Sequence, residues 1–223
     1  MDRRRAIKNL LAGAVFLGLC GAALAPPAAP LHSRVVAAKN AGGAPSGNKL
    51  LDDYSGAAVA FSTRLLDKDY AGSCIRIRED GGDTETDIGF TAGGELDESA
   101  ISSHCGANLG YVVKWYDQSG NGRDAHQTTG GAQPLIFNGS SVVKTNGKPA
   151  LDFTPNDEFP TLSYTLNQPF SYAVVVKMDT TGDVFLDGTS TNYGSLYNQG
   201  SGDVRFNCGT ALNILNGFTQ GDQ

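Results

Sequence analysis

The chain has 223 residues, 29 of them glycine, with 9% aromatic and 18% charged residues, which suits one glycine-rich, β-leaning domain with a sizeable core. Its 23 acidic residues outnumber 17 basic ones, for a net charge of −6. That balance argues against nucleic acid or an anionic membrane surface as partner, because both attract clustered Lys and Arg.

The N-terminus reads as an export signal. Arg3, Arg4, Arg5 and Lys8 precede an apolar run from Leu10 to Leu24, and the order Asp2 to Lys8 resembles the twin-arginine pattern, with a Sec signal as the alternative. Ala23-Leu24-Ala25 fits a small-x-small cleavage site, although Pro26 directly after it disfavours cleavage and leaves an uncleaved anchor open. The run is about 15 residues, short of the roughly 20 of a comfortable span, and no membrane insertion of the mature domain is expected. Leu19 is too large for the position before a lipidated Cys20. Residues 1–25 are therefore the signal, and the expected location is periplasmic or extracellular. Without them 13 basic residues face 22 acidic ones, a net charge of about −9. Residues 26–49, rich in Ala, Gly and Pro, read as a linker, and residues 50–223 as one folded domain.

In the domain, Ala57 to Leu66 reads as a strand or a short helix, and Cys74 to Arg78 alternates apolar and charged residues as a half-exposed strand does. Glu95 to Ile101, with an acidic first turn, predicts a short helix. Gly110 to Trp115 is a β-branched and aromatic strand that leads into Tyr116-Asp-Gln-Ser-Gly-Asn-Gly122, where Asn121-Gly122 suits a tight hairpin. Further strands are expected at Pro134–Phe137, Ala150–Phe153, Ser171–Lys177, Asp183–Leu186 and Val204–Cys208, with Tyr172 to Val176 as a central strand. Short strands with almost no helix predict an all-β two-sheet sandwich.

The polar turn carries the candidate binding residues: Trp115, Asp117, Asn121 and Asp124. Asp117, Ser119 and Asn121 also match the first half of a calcium loop, but Thr128 stands where a bidentate Glu would close it. No cofactor is expected, calcium being the one cation considered. The plainer reading makes Asp117 and Ser119 partners of turn amides and buries Trp115 in the core rather than stacking it on a sugar. His104 and His126 have no ligand spacing. After signal removal Cys74, Cys105 and Cys208 remain, an odd number. One bridge with a free thiol pairs Cys74 with Cys105, which flank the strands nearest the motif; the alternative is three reduced, buried thiols.

The order Leu51 to Ala57, Ala60 to Leu65, Ile75 to Arg78, Asp87 to Phe90, Cys105, Trp115 to Gly122 and Asn146 to Phe153 resembles the catalytic region of the α-L-arabinofuranosidase B family, glycoside hydrolase family 54. It also resembles concanavalin A-like lectin and glucanase domains. The resemblance spans residues 50–190 and implies a concanavalin A-like jelly-roll sandwich that handles glycans. In the enzyme family it implies retaining hydrolysis of terminal arabinofuranosyl groups, which ordinarily needs two carboxyl groups about 5 to 5.5 Å apart. The family's nucleophile strand falls at Tyr193–Gln199, which holds no carboxylate, and its acid/base Asp falls beyond Gln223. Gly110 stands where the family has a second cysteine after the position of Cys105, and the vicinal cysteine pair of its sugar pocket is absent.

The carboxylates left as catalytic candidates are Asp152, Glu158 and Asp187. The polar end after Asn213 reads as a sandwich short of its closing strands, either truncated or covered by a partner. The expectation is an exported carbohydrate-recognising sandwich with a glycan partner and no nucleic acid. The alternatives are an active α-L-arabinofuranosidase and a structural or adhesive surface module; oligomeric state is left open.

Overall fold

A computed structural model describes residues 48–153, 157–160, 171, 173–177, 184–186, 193–200, 203–208 and 211–214. The expected export signal, nearly all of the expected linker and the region after Ile214 lie outside the described residues, as do Tyr172, Asp179, Asp183 and Asp187.

Among the described residues strands dominate and every ladder is antiparallel. The first sheet is built from β1 (Ile75–Glu79), β2 (Glu85–Ile88), β3 (Leu109–Trp115), β4 (Ala125–His126) and β5 (Leu135–Asn138). Its order is β2-β1-β3-β4, and β5 pairs the other half of the β3 edge that β4 occupies. A two-stranded hairpin joins β6 (Lys144–Thr145) to β7 (Lys148–Pro149). A second, four-stranded sheet follows in the order β11-β10-β9-β8, from β8 (Val184–Leu186), β9 (Tyr193–Gly200), β10 (Asp203–Cys208) and β11 (Ala211–Ile214). Two α-helices are described, α1 (Leu50–Asp53) and α2 (Glu98–Cys105).

The alternation in Ile75 to Glu79 does what its period requires: Ile75, Ile77 and Glu79 are buried, while Arg76 and Arg78 take the other face. The register of β1 against β3 shifts between Arg76 and Ile77, so Arg76 faces Lys114 while Ile77 faces Val112. Ile75, Ile77, Val112, Trp115, Ile136, Phe137, Leu151 and Phe153 meet Ile101 and Cys105 of α2 in one core. The helix begins three residues later than the acidic run suggests, because the Asp97 side chain caps it by accepting from the Ala100 N–H.

Close packing explains Gly110. A Cβ there would lie 2.7 Å from Cys105 Sγ and 3.0 Å from Phe137 Cβ, so only glycine lets α2 and β5 approach β3 this closely.

Several expectations are corrected. Residues 57–66 form neither strand nor helix. Asp152 makes an isolated bridge to Leu135 instead of a strand over Ala150–Phe153. Residues 173–177 carry no ladder among the described residues, although Val174 and Val176 pack on the core. Asn121-Gly122 lies inside a longer loop between β3 and β4, where Gly120 and Gly122 hold positive φ. The tight Asn-Gly turn is Asn146-Gly147, with φ 49° and 73°, joining β6 to β7. The Cys74–Cys105 bridge is not formed: both are free, buried thiols. Cys74 Sγ lies 3.2 Å from the Ser62 carbonyl, which accepts from it. Burial pushes both thiols up from their ordinary pKa, away from the reactive thiolate.

Candidate functional site

The loop after β3 is held by its own polar groups. Asp117 Oδ1 accepts from the backbone N–H of Ala60 (2.9 Å) and Ser119 (2.9 Å), and Oδ2 from Ser119 Oγ (2.8 Å) and the Arg123 N–H (3.0 Å). Gln118 Oε1 accepts from Leu66 N–H at 2.8 Å, and its Nε2 donates to the carbonyls of Ser62 and Arg64 at 3.0 and 3.1 Å. Asn121 Nδ2 donates to the carbonyls of Ala57 and Ala58, and Arg123 Nη1 to Ala58 as well. These bonds satisfy the amides of Ala60 and Leu66 and the carbonyls of Ala57, Ala58, Ser62 and Arg64, while the Leu65 N–H donates to Gly94 and the Thr63 carbonyl accepts from Leu96, so the segment needs no ladder.

The expected binding residues therefore take different places. Asp117 is 3% exposed and its carboxylate is spent on four donors. A calcium ion at Asp117, Ser119 and Asn121 does not fit these atoms: N–H groups already point at the carboxylate, and Asn121 presents its amide nitrogen to carbonyls. Trp115, named among the binding residues, is the core residue that the plainer reading made it. It is 2% exposed, and its ring centroid lies 5.5 Å from that of Phe61 and 6.3 Å from that of Phe159. Asp124 accepts from the Asp117 N–H (3.0 Å) and pairs with Lys114 (3.6 Å).

Next to that loop, on the side of the sheet opposite the core, Asp87 takes a bidentate bond from Arg76 (2.7 and 2.9 Å) and one from Tyr116 Oη (2.7 Å). The Arg76 guanidinium holds Asp87 below the usual carboxylate range, while burial and the bond to Asp87 push Tyr116 up to about 12. These groups are committed to one another.

The remaining candidates separate. Asp187 lies outside the described residues. Glu158 is half-buried, and its main chain is bonded to Ala132 and Gln127. Asp152 lines a cavity of about 540 Å³ with Glu98, Leu135, Asn138, Ser141, Val142, Val143 and Lys144. The cavity forms where the first turn of α2 meets β5 and the chain that folds back along it: Phe137 bridges Val142, and Val143 N–H donates to Ile136. Glu98 pairs with Lys144 at 2.7 Å. Asn138 Oδ1 accepts from the N–H of Ser140 and Ser141. The Asp152 carboxylate, the Asn138 Nδ2 and the Ser141 hydroxyl have no hydrogen-bond partner among the described residues. Sequence reasoning found Asp152 and missed Glu98 and Lys144, since an ion pair 46 positions apart leaves no local signal.

Asp52, Asp67 and Asp69 bring carboxylate oxygens within 4.8 Å of one another, with Lys68 pairing Asp69 and Asp52. Among the described residues no helix is long and apolar enough to cross a membrane.

An antiparallel, all-β protein with a polar cavity is the class these observations define. The chain is 30% identical over 167 residues to alpha-L-arabinofuranosidase B of Emericella nidulans, a distant relationship that covers 66% of this chain and 30% of that relative. The chain thus corresponds to less than a third of that enzyme's length. No family model matches the chain, and no solved structure matches it.

Proposed function

We infer that this is an exported carbohydrate-binding protein that recognises plant-type or cell-surface glycans on a concanavalin A-like two-sheet scaffold. The observation that carries the reading is the 30% identity to an arabinofuranosidase B. Two antiparallel sheets support the scaffold, the basic and apolar N-terminus supports export, and an acidic balance of −6 suits a neutral polysaccharide better than a polyanion.

A second reading, an active α-L-arabinofuranosidase, is favoured by one feature: Glu98 and Asp152, two carboxylates, line the same cavity. One experiment separates the readings: p-nitrophenol release from its α-L-arabinofuranoside by the purified chain, beside a pull-down on arabinoxylan. Retention on arabinoxylan without release is the expected result. Release abolished by Asp152→Asn or Glu98→Gln would establish the hydrolase, and neither retention nor release would refute both readings.

A further inference from the structure

The geometry points to the cavity between α2 and β5–β6 as the saccharide site, and to a neutral sugar unit as its ligand. This assignment rests on the carbohydrate-binding reading and deepens it. A polar group whose hydrogen bonds are made inside the protein has nothing to offer a ligand without first breaking them. On that criterion the loop after β3 is excluded, because Asp117, Gln118 and Asn121 are all committed to backbone partners.

The cavity meets the opposite condition. Asp152 contributes carboxylate acceptors, Asn138 Nδ2 a donor and Ser141 Oγ a group of either kind, which is the complement of a row of sugar hydroxyls. Leu135, Val142 and Val143 supply apolar surface beside them, for the C–H face of a sugar ring. The volume, about 540 Å³, lies within the range of small-ligand sites. The main chain around these side chains is fixed by the Leu135–Asp152 bridge, with both N–H···O distances 2.9 Å, and by the Asn138 turn. The site is therefore largely formed before ligand arrives, which spares ordering cost on binding.

Charge sets the class of sugar. The lining holds two carboxylates, Glu98 and Asp152, against one ammonium, Lys144, and that ammonium is already paired with Glu98. The net charge is negative, so a uronate is repelled while a neutral pentose or hexose unit is accepted.

Titration calorimetry with a neutral arabino-oligosaccharide and an oligogalacturonide of the same length tests this, on the wild-type chain and on Asp152→Asn and Ser141→Ala. Neither substitution removes a hydrogen bond that a described residue makes, so both variants should melt with the wild type. The expected result is binding of the neutral ligand, weakened at least tenfold by Asp152→Asn and measurably by Ser141→Ala, with no binding of the uronide. Wild-type affinity in both variants would overturn the cavity assignment and leave the carbohydrate reading standing. Preference for the uronide would overturn the ligand class, and no binding of either ligand by the wild type would overturn the assignment together with the reading it rests on.

Discussion

Asp117 and Asp152 are two carboxylates of one β scaffold with opposite commitments. Asp117 receives four donors, whereas Asp152 receives none among the described residues. Glu79 belongs with Asp117. Its buried carboxylate accepts from the N–H of Gly81, Gly82 and Thr84, from Thr84 Oγ1 and from Asn108 Nδ2, closing the β1–β2 turn. These bonds, those from Thr84 first, lower its pKa from 4.5 to about 2. A carboxyl depressed on folding contributes stability that is fully present above its unfolded pKa and is lost as pH falls through the folded value. Melting temperature should therefore decline between about pH 4.5 and 2, and Glu79→Gln should flatten that part of the profile while lowering stability at neutral pH. An unchanged slope in the variant would remove Glu79 from the account. At this scale Asp117 was legible as a turn-bonding residue from its Asp-x-Ser spacing, and Trp115 as core from its place amid β-branched neighbours. Asp152 looked no different from its acidic neighbours, because an unspent hydrogen-bonding capacity has no sequence signature.

Among the elements, β1 and β3 were readable from alternation and from a β-branched run, since both signals depend only on a strand's own residues. Residues 57–66 were not readable, because several of their backbone groups find partners in side chains more than 50 positions away. Gln118 is the main tie: it is 1% exposed and bonds Leu66, Ser62 and Arg64. Gln118→Ala leaves the buried Leu66 N–H unsatisfied, at about 1–3 kcal/mol, and takes one donor each from the Ser62 and Arg64 carbonyls. Hydrogen exchange is the direct check, and the Leu66 amide should lose protection well before the amides of β3. Equal protection of Leu66 in wild type and variant would show that the segment is held by other means. The β3–β4 loop differs from the expected hairpin for a related reason: positions 116–124 are spent on clasping that segment, so the strands cannot close through two residues.

For the whole molecule, composition and charge gave a single acidic β domain, and the described sheets agree with the all-β part of that reading. The cysteine count left a bridge and three buried thiols both open, and packing decides it for two of them: Cys105 is buried as a thiol beside Gly110, and Cys74 faces the Ser62 carbonyl. The Tyr116 to Gly122 loop, one of the stretches that carry the resemblance, clasps the fold, and the unspent polar groups lie at the cavity lined by Asp152. The central claim is that division between scaffold loop and binding cavity. The measurement that tests it most directly pairs thermal melting with oligosaccharide titration on Asp117→Asn and Asp152→Asn. The account predicts that Asp117→Asn melts lower, by about 1–3 kcal/mol of stability, and binds as the wild type does below its melting point. It predicts that Asp152→Asn melts as the wild type does and binds at least tenfold more weakly. Loss of binding in Asp117→Asn at unchanged melting temperature, with full binding in Asp152→Asn, would contradict it and return recognition to the loop.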